Sequence, residues 1–311
     1  MQSLLERIAQ REILISDGAL GTLLQAKGLQ PGECPESWCV THPEILREIA
    51  LAYLAAGSNI IETNTFGGNA YKLRNYGMAD RVVEFNQAAA ALVKEAVRDD
   101  GYVAASVGPT GHIVEEEGGD VTPADLYAAF KAQVVALAEG GVDAFCIETM
   151  LSLTEAIQAV KAAKENTRLP VMCTFTFEES PRGFRTMMGV TPERAAREVA
   201  EAGADVVGAN CGNGIAKMIE ITRQMRAAVP NTPILIQANA GPLVLEGDKT
   251  VFKETPEQMA SRVKELVEAG ANIIGGCCGT TPAHIAAMAR AIRAKQAGRI
   301  GGGPVDDAPF Q

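Results

Sequence analysis

The chain has 311 residues, 47% hydrophobic but only 5% aromatic, so a large core is available and abundant Ala and Gly must provide its close packing. A net charge of −10 argues against a nucleic-acid or anionic-membrane surface, since both need clustered Lys and Arg. Seven cysteines, an odd number over a long chain, do not suit a secreted disulfide framework, and the charged N-terminus "MQSLLERIAQREILIS" has no apolar signal core. With no apolar run near the ~20 residues of a membrane span, the expected setting is a reducing cytoplasm.

In chain order, short β-branched runs alternate with longer amphipathic ones. "EILISDG" reads as a first strand, followed by a loop "PGECPESWCV" and a helix "HPEILREIALAYLAAG". "SNIIETNT" and "VAASVGP" are the second and third strands, the latter leading into "TPADLYAAFKAQVVALAEGG". "AFCIETM" and "PVMCTFTF" follow, then the helix "TPERAAREVAEAGA". "DVVGANCG", "PILIQANAG", the helix "TPEQMASRVKELVEAGA" and the strand "NIIGGCCG" complete the pattern. Three of these helices open on Thr-Pro, with Thr as N-cap and Pro at the first helical position. Eight strands, each followed by a helix through short connections, predict a single-domain (β/α)8 TIM barrel over residues 1–295. Residues 296–311, which end in "GRIGGGPVDDAPFQ", read as a flexible tail or linker. A doubly wound nucleotide-binding sheet is disfavoured, because no G-x-G-x-x-G or P-loop opens a helix.

Chemistry in such a barrel gathers at the C-terminal ends of the strands. Those ends carry Asp17, Glu62, Asn64, Glu148, Asn210, Cys211, Asn239, Cys277 and Cys278. Adjacent cysteines in an extended strand point to opposite faces, but where the strand turns into a Gly loop both can swing to one point. Three thiolates with one open position would make a zinc site of the catalytic kind. Spacing alone leaves core packing as an equal reading of Cys277 and Cys278, because Cys-Cys is not a standard zinc-ligand spacing. Cys146 and Cys173, mid-strand, read as core, and Cys34 and Cys39 as loop residues flanking Trp38. The histidines (His42 at a helix start, His112 in a loop, His284 in a first helical turn) read as capping or solvated, with no hydrolytic triad.

The segments "SDGALGT", "GSNIIETNTFGGN", "ANCG" and "GGCCGTTPAHI" resemble the zinc-dependent homocysteine S-methyltransferases over nearly the whole chain. The likeness is greatest to the homocysteine-binding module of cobalamin-dependent methionine synthases, as in "TNTFGGNAYKLRNYG". That resemblance implies Zn²⁺ on Cys211, Cys277 and Cys278, and homocysteine held at its amino-acid end by Asp17, Gly18 and Glu148. Asn239 would occupy the fourth zinc position when substrate is absent. No D-x-H-x-x-G cobalamin signature occurs, so a methyl-corrinoid donor, protein-bound methylcobalamin, would come from a separate protein or domain. S-methylmethionine or betaine are the alternative donors, betaine wanting an aromatic cage to which Trp38 could contribute. A non-catalytic zinc barrel serving as a scaffold is the remaining alternative, against which Asp17 and Glu148 count, since a scaffold needs no ammonium site.

Overall fold

A computed structural model describes residues 2–246 and 249–300. The strands are β1 (Leu14–Ile15), β2 (Ile60–Glu62), β3 (Tyr102–Val107), β4 (Ala144–Met150), β5 (Val171–Phe175), β6 (Glu178–Ser180), β7 (Gly183–Arg185), β8 (Val206–Gly214), β9 (Ile234–Asn239), β10 (Leu243–Glu246), β11 (Lys249–Phe252) and β12 (Ile273–Gly276). The helices are α1 (Leu4–Ala9), α2 (Gly21–Ala26), α3 (Trp38–Thr41), α4 (Pro43–Ala56), α5 (Ala70–Arg74), α6 (Val82–Val97), α7 (Pro123–Glu139), α8 (Leu153–Asn166), α9 (Pro192–Glu201), α10 (Ile215–Ala228), α11 (Pro256–Ala269) and α12 (Pro282–Ile300).

Eight strands form one parallel sheet in the order β1-β12-β9-β8-β5-β4-β3-β2. A single parallel bridge, Ser16 to Ile60, joins the two ends and makes the sheet a barrel. Each of the eight expected strands is present. Helices α4 and α6 to α12 pack side by side around it in an unbroken ring. Thr122, Thr191 and Thr255 each cap a helix with Pro at its first turn, and Thr122 and Thr255 do so in full capping boxes. The hairpins β6–β7 and β10–β11 were not expected; they are built into the connections that follow β5 and β9. Helix α12 runs across the 295/296 boundary to Ile300, and the remainder of the expected tail, 301–311, lies outside the described residues. Among the described residues, no helix is long and apolar enough to cross a membrane.

Side chains two residues apart along a strand share a face, and that parity divides the barrel interior into layers. The lower layer is apolar: Leu14, Ile60, Ala144, Met172, Val206, Leu235 and Ile273 pack together, floored by Leu4 and Ile8 of α1. Ser3 caps α1, and Tyr102 Oη donates to the Gln2 carbonyl oxygen, which fixes this plug under the barrel. Stepping two or four residues toward the strand C-termini changes the chemistry. The same face now presents Ser16, Glu62, Ser106, Glu148, Thr174, Asn210 and Gln237. The outward faces of the strands remain apolar and meet the helices. Burial of a polar layer requires partners, and those partners form the site.

Candidate metal and substrate site

Cys211 lies on β8 where the chain departs from regular pairing. The β8–β9 ladder runs from Val207–Ile234 to Asn210–Gln237, then skips so that Gly214 pairs with Asn239. Within that bulge Cys211 has φ +59° and Gly212 φ +69°, a left-handed turn that non-glycine residues rarely adopt. The turn brings the Cys211 thiol to the barrel mouth. Just past β12 the two adjacent cysteines are brought together similarly. Cys277 N–H still donates to the Ala238 carbonyl (2.8 Å) as part of the ladder, and the chain then turns, with Thr280 donating to the Cys277 carbonyl through N–H (3.1 Å) and Oγ1 (2.7 Å). Gly279, at φ +77°, completes the turn and lets Cys278 swing back toward Cys277.

The three sulfurs lie within 4.8 Å of one another, Cys211 Sγ and Cys278 Sγ 3.7 Å apart, and none is in a disulfide. The cluster favours a thiolate: the Cys211 thiol is pushed down to about 3 by the Cys277 and Cys278 thiols donating to it, helped by the Gly212 N–H. The same sharing of protons pushes Cys277 up and Cys278 up to about 11. The Asn239 side chain also supports the Cys211 thiolate, while its own Oδ1 is buried without a hydrogen-bond partner. Clustered sulfurs and an orphaned amide oxygen beside them are donors fit for a thiophilic cation such as Zn²⁺.

Next to the sulfurs, Asn210 is held from several sides. Its Oδ1 accepts from Thr149 N–H (2.8 Å) and Thr174 Oγ1 (2.8 Å). Its Nδ2 donates to Thr149 Oγ1 (2.7 Å) and Glu148 Oε2 (3.2 Å), with Cys277 Sγ at 3.9 Å. Thr149 is itself left-handed, φ +62°, at a second irregularity in the ladder, between β4 and β5. Strain of this kind, stored where two strands end, orients Glu148 and Cys211 together.

Three carboxyls converge below the mouth. Asp17 Oδ2 accepts from the Glu62 N–H (2.8 Å), and its Oδ1 from Ser16 Oγ (3.3 Å). Glu62 Oε1 accepts from Gln237 Nε2 (2.8 Å), and Glu148 Oε1 from Ser106 Oγ (2.5 Å). Burial pushes Asp17 up to about 7, with the nearby Glu148 charge adding to it. Burial and then the Asp17 charge push Glu62 up to about 7 as well. Glu148 is likewise raised well above the usual carboxylate range, by burial first and by Glu62 second.

A cavity of about 300 Å³ opens onto this cluster. Its wall includes Glu62, Glu148, Cys211, Cys277 and Cys278, with the loop Gly18–Thr22 and Phe66 around the mouth. Asp17 lies behind that wall, tied to the backbone of Glu62. Asn239 is likewise set back. A Cβ on Gly18 would come within 2.6 Å of Thr280 Oγ1 and 2.9 Å of Tyr53 Oη, so only Gly fits between the first and last βα loops. Trp38 is buried and stacked on His42, away from the cavity; among the described lining residues, Phe66 is the one aromatic ring. No aromatic cage is built there from described residues. His284 caps α12, its Nδ1 facing Thr281 N–H at 3.2 Å and its Nε2 facing the Glu254 carbonyl at 2.9 Å; His112 pairs with Asp120 at 3.2 Å. Cys146 and Cys173 are fully buried in the strands, as expected of core.

Sequence reasoning placed Glu62 and Asn210 at strand ends but gave them no role, and it passed over Ser106, Thr149 and Gln237. The period-two parity could have found most of them, since each continues the inward face of an apolar strand.

A family described as Homocysteine S-methyltransferase matches residues 14–292. The methionine synthase of Mycobacterium tuberculosis (strain ATCC 25618 / H37Rv) is 31% identical over 307 residues, covering 93% of this chain and 25% of that protein. The methionine synthase of Mycobacterium leprae (strain TN) is 30% identical, with the same coverage of 93% and 25%. The chain thus spans about a quarter of the length of these curated relatives. Among solved structures, the metallated form of the homocysteine methyltransferase MmuM from Escherichia coli superposes with a TM-score of 0.77 at 23% identity, covering 92% of this chain and 98% of that one, a likeness of fold.

Proposed function

This chain belongs to the homocysteine S-methyltransferase family, and we propose that it methylates the thiol of homocysteine to give methionine, with Zn²⁺ held by Cys211, Cys277 and Cys278. The observation that carries this reading is the meeting of three cysteine sulfurs within 4.8 Å at the wall of a cavity that also presents carboxyls. Bound there, the metal would keep the substrate sulfur as thiolate, a far better nucleophile than a thiol of pKa ~8.5.

The residues of the chain supply the rest. Glu148, oriented by Ser106 and Asn210, and Asp17, acting through the loop it anchors, favour the substrate ammonium. Gly18 and the loop after it offer backbone N–H groups to the carboxylate. Asn239, with its unpartnered Oδ1, would complete the ligand set before substrate enters. No histidine or lysine among the described residues lines the cavity.

The donor reading has one supporting observation and alternatives beside it. Methionine synthases of which this chain spans a quarter favour a methyl-corrinoid carried by another protein or domain. S-methylmethionine is the alternative, a free small donor that would need no partner protein or domain. Betaine is the weaker candidate for want of a cage. A zinc-loaded preparation assayed with homocysteine against methylcobalamin, S-methylmethionine and betaine decides between them. Methionine formed from any one establishes the activity; no methionine from any, with zinc bound and homocysteine not binding, leaves a scaffold barrel instead.

A further inference from the structure

Glu62 is a carboxyl of this cluster that the proposed function leaves without a task. Its position is particular. Glu62 and Glu148 project from β2 and β4 into the same cavity wall, and their carboxyls are within hydrogen-bonding reach of each other. Glu148 has both oxygens engaged, Oε1 by Ser106 Oγ and Oε2 by Asn210 Nδ2. Glu62 has Oε1 engaged by Gln237 Nε2, and its other hydrogen-bonding neighbours are the Cys146 thiol and Glu148. No Lys, Arg or His among the described residues lines the cavity. Two carboxylates in contact, shielded from water and without a cation, cannot both be ionised.

We propose that Glu62 and Glu148 share one proton in the empty site, and that the ammonium of the amino-acid substrate enters by displacing it. The proton leaves to solvent and the ammonium stays whole, so the pair exchanges one positive charge for another and is doubly ionised only when a substrate cation is present. Glu62 is thereby a specificity-determining residue: a thiol without an ammonium would have to enter against a proton that it cannot replace. The other titratable groups facing the pair are Asp17 from β1, Cys146 from β4 beneath it and Cys211 from β8. Asp17 spends its two oxygens on the Glu62 N–H and Ser16 Oγ, and Cys146 is a buried thiol held well above its ordinary range by desolvation. Raised titration of both Glu62 and Glu148 agrees with the geometry.

This inference rests on the homocysteine reading, and its test separates the two. Homocysteine affinity for the zinc-loaded protein is measured by calorimetry between about pH 6 and 7, in buffers of differing ionisation enthalpy, for wild type, Glu62→Gln and Asp17→Asn. The thiol releases one proton on entering the metal shell and the pair a second, so wild type should release about two protons, and log affinity should climb about two per pH unit. Glu62→Gln, whose amide donates to an ionised Glu148, should release about one. Asp17→Asn should still release about two. One proton from wild type overturns the shared pair while leaving the homocysteine reading intact. Loss of the second proton in Asp17→Asn rather than Glu62→Gln also overturns it, placing the proton on Asp17. Absence of any homocysteine binding to wild type overturns both. The wild-type count needs no variant to fold.

Discussion

Cys211 shows how much a single residue's backbone state can decide. At φ +59° it sits in a region a β-strand residue avoids, and the bulge that holds it there is what turns a strand side chain toward Cys277 and Cys278. Losing a thiol should therefore empty the site without unfolding the barrel, whose core lies elsewhere. Cys277→Ala, Cys278→Ala is expected to carry well under ~0.2 zinc per chain against about one in wild type, with unchanged far-ultraviolet circular dichroism. Full zinc by elemental analysis of that variant would remove the assignment. Asp17 makes a pH prediction. It titrates near 7 in the folded chain and near 3.8 when exposed. Between those values the folded state keeps a proton that the unfolded state has lost, so rising pH favours unfolding through this group. Its contribution is fully present below about 3.8, is lost as pH rises through about 7, and changes no further above. Asp17→Asn removes the titration. The stability of the variant relative to wild type should rise from pH 4.5 to about 7 and then level, read as urea midpoints of the reduced, metal-free proteins; a pH-independent difference would contradict the buried, raised carboxyl. The clustering of the three cysteines was half legible: they fell at strand ends, but spacing alone left Cys277 and Cys278 equally as core, and the family resemblance supplied the rest. The place of Asp17 behind the wall was not legible, since whether a strand-end carboxylate faces a cavity or a neighbouring N–H depends on the register between two strands far apart in the chain.

Elements obey local rules more faithfully than sites do. The Thr-Pro openings of α7, α9 and α11 form as expected because N-cap chemistry is written in consecutive residues. Thr255→Ala deletes one half of a capping box, and thermal unfolding should register a loss of about 1 kcal/mol, with zinc content untouched. A glycine inside β8 makes a harsher demand. A Cβ on Gly208 would sit 1.9 Å from the Leu235 carbonyl oxygen and 3.1 Å from Thr174 Cγ2, so β8 and β9 can pair only if that position stays bare. Gly208→Ala should cost upward of ~3 kcal/mol or prevent soluble expression, because backbone cannot yield as a side-chain tip can. A wild-type melting temperature in Gly208→Ala would show that the strands have room to part. The hairpins β6–β7 and β10–β11 escaped the sequence reading because each is a short, partly polar excursion inside a connection, without the bounded β-branched run that marked the barrel strands. Helix α1 escaped for another reason. Its buried apolar residues, Leu4 and Ile8, are too few for a periodic signal, and their purpose appears only when the barrel they plug exists.

At the scale of the whole molecule, an apolar lower barrel carries a polar upper one. The eight-strand pattern was readable since each strand core is a run of β-branched and small residues bounded by turn signals. Because the lower layer and the outer ring of helices make no use of the metal, chelation should leave a folded barrel. The metal-free protein is expected to unfold in one cooperative step with native secondary structure, seen by scanning calorimetry beside circular dichroism; a broad, non-cooperative transition would mean that the site holds the fold together. The seam between β1 and β2 gives this architecture its least redundant point. There the regular ladder shrinks to the Ser16–Ile60 bridge, and side chains stand in for missing rungs: Asn59 Oδ1 receives the Ile15 N–H (2.9 Å), and Asp17 Oδ2 receives the Glu62 N–H (2.8 Å). The amide hydrogen of Glu62 is thus guarded by a carboxyl that titrates, not by a neighbouring strand's carbonyl. Its exchange with deuterated solvent should be faster than that of Ala104 or Ile236, deep in the sheet, and should slow when a ligand draws the mouth together. One amide would then serve as an internal gauge of how tightly the barrel is fastened.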